Sequence, residues 1–235
     1  PSDNPLIVHI ADLEDLSEIT ENVPPETELL AKHFWPGPLT MIFEKSSLVP
    51  YGTTGGLDTV AVRMPSDLIA RKLILAAGGY VSAPSANTSG RPSPTTAEHV
   101  WEDLNGKIEM IIDGGSVDIG LESTILDMTV SPPMILRPGA ITADMLEEVI
   151  GVVSVDETIL GSESSQAPKA PGMKYRHYAP KAPVTVVSGA PERSADYIRT
   201  HLSSGEGVIC FEEFTPLFTG VSVQSLGLST DKDEQ

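Results

Sequence analysis

Between residues 6 and 150, apolar runs of strand length alternate with amphipathic stretches of helix length. A chain patterned this way must cover a sheet with helices, which makes it an α/β protein. Residues 6–10, 39–43 and 59–62 read as strands, with helices near 13–19 and 26–34. Ser66 reads as the N-cap of a helix that runs to Ala77 and stops at Gly78-Gly79. Gly79-Tyr80-Val81 reads as the end of a buried strand, and Thr95-Thr96-Ala97-Glu98 as a capping box opening a helix. Further strands are predicted over 108–112, 123–127 and 134–136, and Thr142 caps a short helix closed by Gly151.

A second unit follows. Residues 184–187, the helix 191–202 and residues 207–211 form a β-α-β pattern of the doubly wound kind, with no Gly-rich dinucleotide fingerprint after the first strand. Between the units, residues 157–183 are rich in Pro, Gly and Ser and lack apolar periodicity, as a linker does. The expected organisation is therefore a first domain over 1–156, a linker over 157–183 and a smaller domain over 184–235.

Composition removes several functions. The net charge of −18 argues against a surface that wraps nucleic acid, because such surfaces need cations to displace counterions from phosphates. Cys210 is the only cysteine, so no intrachain disulfide can form; its setting in Gly207-Val208-Ile209-Cys210-Phe211 predicts a buried structural thiol. No stretch approaches the ~20 apolar residues of a membrane span, and a cytoplasmic protein is expected. No paired cysteines, His-x-x-x-His helix, Gly-x-Ser-x-Gly elbow or Walker loop is present.

The segment from Val81 to Thr96 concentrates hydroxyls, the Asn87 amide and the Arg91 guanidinium between an apolar run and a helix start. Such a loop offers free backbone N–H groups and small donors to an anion. On composition alone a plain Ser/Pro/Asn loop is the favoured reading. In the order of the chain, this loop stands with Asn4-Pro5-Leu6-Ile7-Val8-His9-Ile10, Phe34-Trp35-Pro36-Gly37-Pro38-Leu39-Thr40 and Val60-Ala61-Val62-Arg63-Met64-Pro65. Glu122-Ser123-Thr124-Ile125 and Leu136-Arg137-Pro138-Gly139 complete the set. Together they resemble the YrdC-like threonylcarbamoyl-AMP synthases. Residues 170–180, Ala-Pro-Gly-Met-Lys-Tyr-Arg-His-Tyr-Ala-Pro, are similar to the linker of the two-domain form of that family.

The resemblance implies a twisted mixed sheet with helices of the YrdC-like kind in 1–156 and a smaller Rossmann-like C-terminal domain in 184–235. It implies a nucleotidyltransferase joining L-threonine, bicarbonate and ATP into threonylcarbamoyl-AMP with release of pyrophosphate. The product would pass to the machinery that modifies an adenosine of tRNA. Carried over residue by residue, Asn4, Thr59, Ser85, Ser93, Arg137 and Tyr178 would hold ATP, and His9, Arg63, Ala83 and Ser123 would hold threonine. Asn87 and Arg91 are neighbours with weaker claims. Lys174, Tyr175 and Arg176 would form a lid over the nucleotide. Magnesium would arrive with ATP, held mostly by water and phosphate oxygens. No protein nucleophile is called for, since attack of a carbamate oxygen on an α-phosphorus depends on alignment and charge stabilisation.

The chain opens with Pro1-Ser2-Asp3-Asn4-Pro5, which resembles the middle of the family's Lys-x-Arg-Pro segment, so an absent N-terminal portion is expected, and an end cut short of a final helix. Other readings stay open for single residues. Arg63 could make a surface ion pair, His9 could be a satisfied core histidine, and Ser123 could cap a strand entrance. An RNA-binding module with an α/β scaffold, using the cations Lys169, Lys174, Arg176 and Lys181, is the alternative function; direct tRNA contact is left open. A carbamoyl-handling accessory domain is disfavoured by the absence of zinc-finger cysteines.

Overall fold

The computed structural model describes residues 4–157, 159 and 182–230. It divides into two compact units, Pro1–Ala179 and Pro180–Gln235. In the first, strands β1 (Ile7–Ile10), β2 (Thr20–Glu21), β3 (Leu39–Lys45), β4 (Thr59–Arg63), β5 (Tyr80–Ala83), β6 (Thr124–Asp127), β7 (Met134–Arg137) and β8 (Ser154–Val155) form one mixed sheet. Its order is β5-β1-β4-β3-β6-β7-β8. β3 pairs antiparallel with β4 on one side; on the other, β6 runs parallel along Leu39–Ile42 while β2 pairs with Glu44 and Lys45.

Helices α1 (Leu16–Ile19), α2 (Glu26–Phe34), α3 (Tyr51–Thr54), α4 (Leu68–Ala76), α5 (Ala97–Leu104) and α6 (Ala143–Ile150) accompany the sheet. Residues of α1, α2 and α6 pack on the sheet face carrying Val8, Ile10, Leu39, Met41, Phe43, Val60 and Val62. Alternation along the strands sends Ile42, Ala61 and Ile125 to a smaller apolar cluster on the opposite face.

Helix starts follow side-chain chemistry, with two shifts from expectation. Asp67, rather than Ser66, caps α4, accepting from Ala70 N at 2.7 Å; a carboxylate is the stronger acceptor at a helix N-terminus. Thr96 caps α5, accepting from His99 N at 3.4 Å, so a single side-chain cap one residue later replaces the expected Thr95/Glu98 box. His99 Nδ1 accepts from the N–H of Thr95, the residue before the cap, at 3.3 Å. Thr142 caps α6 as predicted.

Three strand expectations fail. Residues 80–83 form a half-buried edge strand rather than the end of a buried one, because β5 pairs on one side only, with β1. Residues 108–112 adopt no strand, and Met110 and Ile112 are exposed; an apolar run becomes a strand only where a neighbouring ladder takes its backbone groups. Residues 184–187 are likewise irregular, with Val186 exposed. In the second unit, α7 (Pro191–His201) precedes a parallel pair, β9 (Gly207–Cys210) and β10 (Ser222–Ser225). Ala195, Val208 and Phe218 form its core. Cys210 is half-buried at the edge of this core, and burial together with Glu213 pushes its thiol up, away from the reactive thiolate.

Two glycines are required by close approach. A Cβ on Gly37 would enter the Phe34 carbonyl. One on Gly139 would meet the Glu122 carbonyl and lie 2.6 Å from Thr124 N and 2.8 Å from Thr124 Oγ1. Thr124 Oγ1 is already committed, donating to Ile141 O at 2.7 Å and accepting from Ile141 N at 3.1 Å, so this corner cannot give way. Gly139→Ala is expected to lower stability by about 2–4 kcal/mol in urea denaturation; a loss under about 0.5 kcal/mol would show that the corner adapts.

Candidate active site

The sheet register builds the site. Val81 of β5 pairs with His9 of β1, His9 with Arg63 of β4, Arg63 with Thr40 of β3, Thr40 with Ile125 of β6, and Ile125 with Arg137 of β7. One row across six strands thus carries an imidazole, two guanidiniums and a hydroxyl. His9 and Arg63 alternate with the helix-covered Val8, Ile10 and Val62, so they belong to the opposite face. There a cleft of about 800 Å³ opens over the sheet, walled by residues 65–68, 83–85 and 93–95 and by the loop 114–123.

A continuous polar chain crosses the cleft. Ser93 Oγ donates to Glu122 Oε1 at 2.8 Å, and Glu122 Oε2 pairs with Arg137 Nη1 at 2.7 Å. Arg137 donates to the Ser123 carbonyl from Nε at 3.1 Å and from Nη2 at 2.9 Å, and reaches Ser123 Oγ at 3.1 Å. Ser123 Oγ and Thr40 Oγ1 are 2.8 Å apart and buried. Because β6 enters the sheet at Thr124, whose N–H donates to Pro38 O at 3.0 Å, Ser123 is fixed at the strand mouth.

Arg63 differs from Arg137. Its Nε donates to the Gly37 carbonyl at 3.0 Å, and it makes no ion pair with a carboxylate among the described residues. Burial, and then the neighbouring Arg137, bring its pKa below the ordinary arginine value. A guanidinium stays charged under such conditions, so the floor of the cleft holds an uncompensated cation shaped for a bidentate carboxylate. His9 is lowered from 6.5 to about 4, first by burial and then by Arg63, and is neutral near pH 7. The Asn4 side-chain oxygen is buried at the cleft with no partner, a group that a bound ligand would satisfy.

The cleft brings together Asn4, His9, Arg63, Ala83, Ser85, Ser93, Ser123 and Arg137. Thr59 is not among them: it opens β4 while Arg63 closes it, about 13 Å along the strand. There it faces a separate, open depression with Lys45, Tyr51 and Asp58. Arg91 pairs with Asp103 of α5 and Asn87 Nδ2 donates to the Arg91 carbonyl at 3.0 Å, and neither residue is among those lining the cleft; the Asn87 side-chain oxygen is buried without a partner. Lys174, Tyr175, Arg176 and Tyr178 lie outside the described residues. The sequence reading gave no weight to Thr40 or Glu122. The signal for Thr40 was a hydroxyl inside an otherwise apolar strand; for Glu122, a carboxylate ahead of two hydroxyls.

Residues 1–139 match the Sua5/YciO/YrdC family, described as telomere recombination, and residues 141–235 match the C-terminal domain of threonylcarbamoyl-AMP synthase. The chain is similar to the threonylcarbamoyl-AMP synthase of Pyrococcus abyssi, 55% identical over 193 residues, covering 82% of this chain and 56% of that protein. It is 46% identical over 230 residues to the Bacillus subtilis protein of the same name, covering 97% and 66%. Among solved structures, P. abyssi Sua5 complexed with L-threonine superposes with a TM-score of 0.82 at 51% identity, covering 90% of this chain and 63% of that one. The chain thus spans less than two thirds of the length of these relatives.

The depressed His9 makes the site sensitive to acid. Between pH 6.5 and about 4 the unfolded chain binds a proton at this position that the folded chain refuses. Its contribution is complete above pH 6.5 and is lost as pH falls through about 4. Over that window the wild type should lose about 2 kcal/mol more than His9→Gln, read as urea midpoints from pH 7.5 to 4.5. Parallel pH profiles would show that His9 does not resist protonation.

Proposed function

The chain belongs to the Sua5/YciO/YrdC family, and on that premise we propose that it condenses L-threonine, bicarbonate and ATP into threonylcarbamoyl-AMP and pyrophosphate. The observation that carries this reading is the half-buried Arg63 guanidinium, which has no carboxylate partner among the described residues and lies in the cleft floor beside a neutral histidine. An amino-acid carboxylate is the ligand such a group fits. A relative 51% identical to this chain has been solved as a complex with L-threonine.

In this reading Arg63 holds the threonine carboxylate, Ser123, steadied by the buried Thr40 hydroxyl, and the backbone at Ala83 hold the rest of the amino acid, and neutral His9 adds no further charge against Arg63 and Arg137. The amine adds to the carbon derived from bicarbonate, losing a proton and releasing water, to give a carbamate. A carbamate oxygen then attacks the α-phosphorus of ATP, and the bond from that phosphorus to the β-phosphate bridge breaks as pyrophosphate leaves. Ser85, Ser93, Asn4 and Arg137 are the cleft groups suited to the nucleotide: two hydroxyls of the loop leading to α5, an amide ahead of β1, and a guanidinium for developing charge. Magnesium enters as part of the ATP substrate. Thr59 is left out of this set because of its place at the far end of β4. The product would feed tRNA modification, and a cytoplasmic setting suits those substrates.

Pyrophosphate release should require ATP, threonine and bicarbonate together, with AMP bound in the product. Serine should substitute poorly, since the threonine methyl is worth roughly 1 kcal/mol in a fitted pocket. ADP as the main product would sink the reading. Arg63→Ala should weaken threonine binding by about 2 kcal/mol or more while leaving ATP binding little changed; intact threonine affinity by calorimetry would remove Arg63 from the role.

A further inference from the structure

Asp103 is a carboxylate the cleft does not use, and only 7% of it is exposed. It stands in the last turn of α5 and faces the loop that carries Ser85 and Ser93. Its Oδ2 accepts from Thr88 N at 3.0 Å, and its Oδ1 pairs with the Arg91 guanidinium. Its carbonyl accepts from Lys107 Nζ at 2.9 Å and from Thr88 Oγ1 at 3.4 Å. Within the loop, Arg91 N donates to Thr88 O at 3.0 Å and Asn87 Nδ2 to Arg91 O at 3.0 Å, so residues 87–91 form a closed turn. The buried carboxylate grips this turn at both ends, and the two serines flank it on the strand and helix sides.

We propose that Asp103 is a positioning residue for nucleotide binding, which acts through Thr88 and Arg91 to hold the loop so that Ser85 and Ser93 both face the cleft. The inference rests on the reading of those serines as ATP ligands. A loop of exposed small residues spends most of its time out of any one arrangement unless something fixes it, and a ligand that must order the loop binds more weakly by that amount. One buried carboxylate with a backbone amide and a guanidinium as partners supplies a charge-assisted anchor whose acceptor side is shielded from water. It also explains why Arg91, the one arginine of the loop, is not among the residues lining the cleft.

The test uses the whole chain. Asp103→Asn keeps an acceptor for Thr88 N and removes the charge facing Arg91. Arg91→Ala removes the partner from the exposed side and keeps the test alive if the first variant fails to fold. At a temperature where each variant is folded by circular dichroism, affinities are measured by calorimetry for a non-hydrolysable ATP analogue with Mg2+ and separately for L-threonine. Each variant should bind the analogue about tenfold more weakly, with threonine affinity within about twofold of wild type. The double variant should be no weaker than the weaker single one, as expected for residues acting through a single contact. Amide exchange over residues 85–93 should quicken in both. Analogue affinity within about twofold of wild type in both folded variants, or equal loss of threonine and analogue affinity, overturns the inference while leaving the proposed function intact. Failure of the wild-type chain to bind the analogue overturns both.

Discussion

Everything in the larger unit hangs on the pairing of β3. This seven-residue strand bonds to β4 along one side and to β6 and β2 in succession along the other, and its first five residues are buried. A strand held on both sides and covered by helices has a fixed register, because a slip by one residue would carry its apolar set to the wrong face. That register brings Thr40 between Arg63 and Ile125, and with them the mouth of β6 where Ser123 sits. The Phe34–Thr40 segment closes the arrangement: Trp35 Nε1 donates to Leu39 O at 2.7 Å, and the Gly37 carbonyl takes the Arg63 Nε–H.

Two arginines on one face show how context divides labour. Arg137 spends its donors on the Ser123 carbonyl and hydroxyl and on Glu122, which makes it a frame for the cleft as well as a wall of it. Arg63 has one backbone acceptor and lies within the field of the other guanidinium. Holding two like charges near each other under partial burial is unfavourable, and an anionic ligand relieves it. The neutral state of His9 belongs to the same electrostatic arrangement, since a third cation in the row would raise the cost further.

Where alternation or a cap determined the outcome, the sequence was readable. The strands at 39, 59 and 134, helix α2 and the Thr142 cap are set by local periodicity and short-range hydrogen bonds. Residues 108–112 and 184–187 carry the same apolar signal and are not strands, because pairing is decided by a neighbour that no local pattern reveals. Site residues divided in the same way. His9, Arg63, Ser123 and Arg137 came from motifs and do converge, whereas Thr59, four positions from Arg63, is carried by strand rise to the other end of the sheet. Arg91 was read by its charge, yet a buried carboxylate twelve residues later decides where that charge points.

The alternation of β1, β3 and β4 has an evolutionary meaning. Val8, Ile10, Met41, Phe43, Val60 and Val62 answer to the helices behind the sheet, while the intervening His9 and Arg63 answer to whatever fills the cleft and the buried Thr40 supports Ser123 at its wall. Adjacent positions in one short strand are therefore under separate selection, one for staying folded and the other for ligand choice. The forward-facing side chains can differ in chemistry without entering the helix-covered core, so long as the register that the core imposes is kept. A sheet packed under helices on one face and opening on a cleft at the end of the other thus divides the residues of each short strand between two tasks.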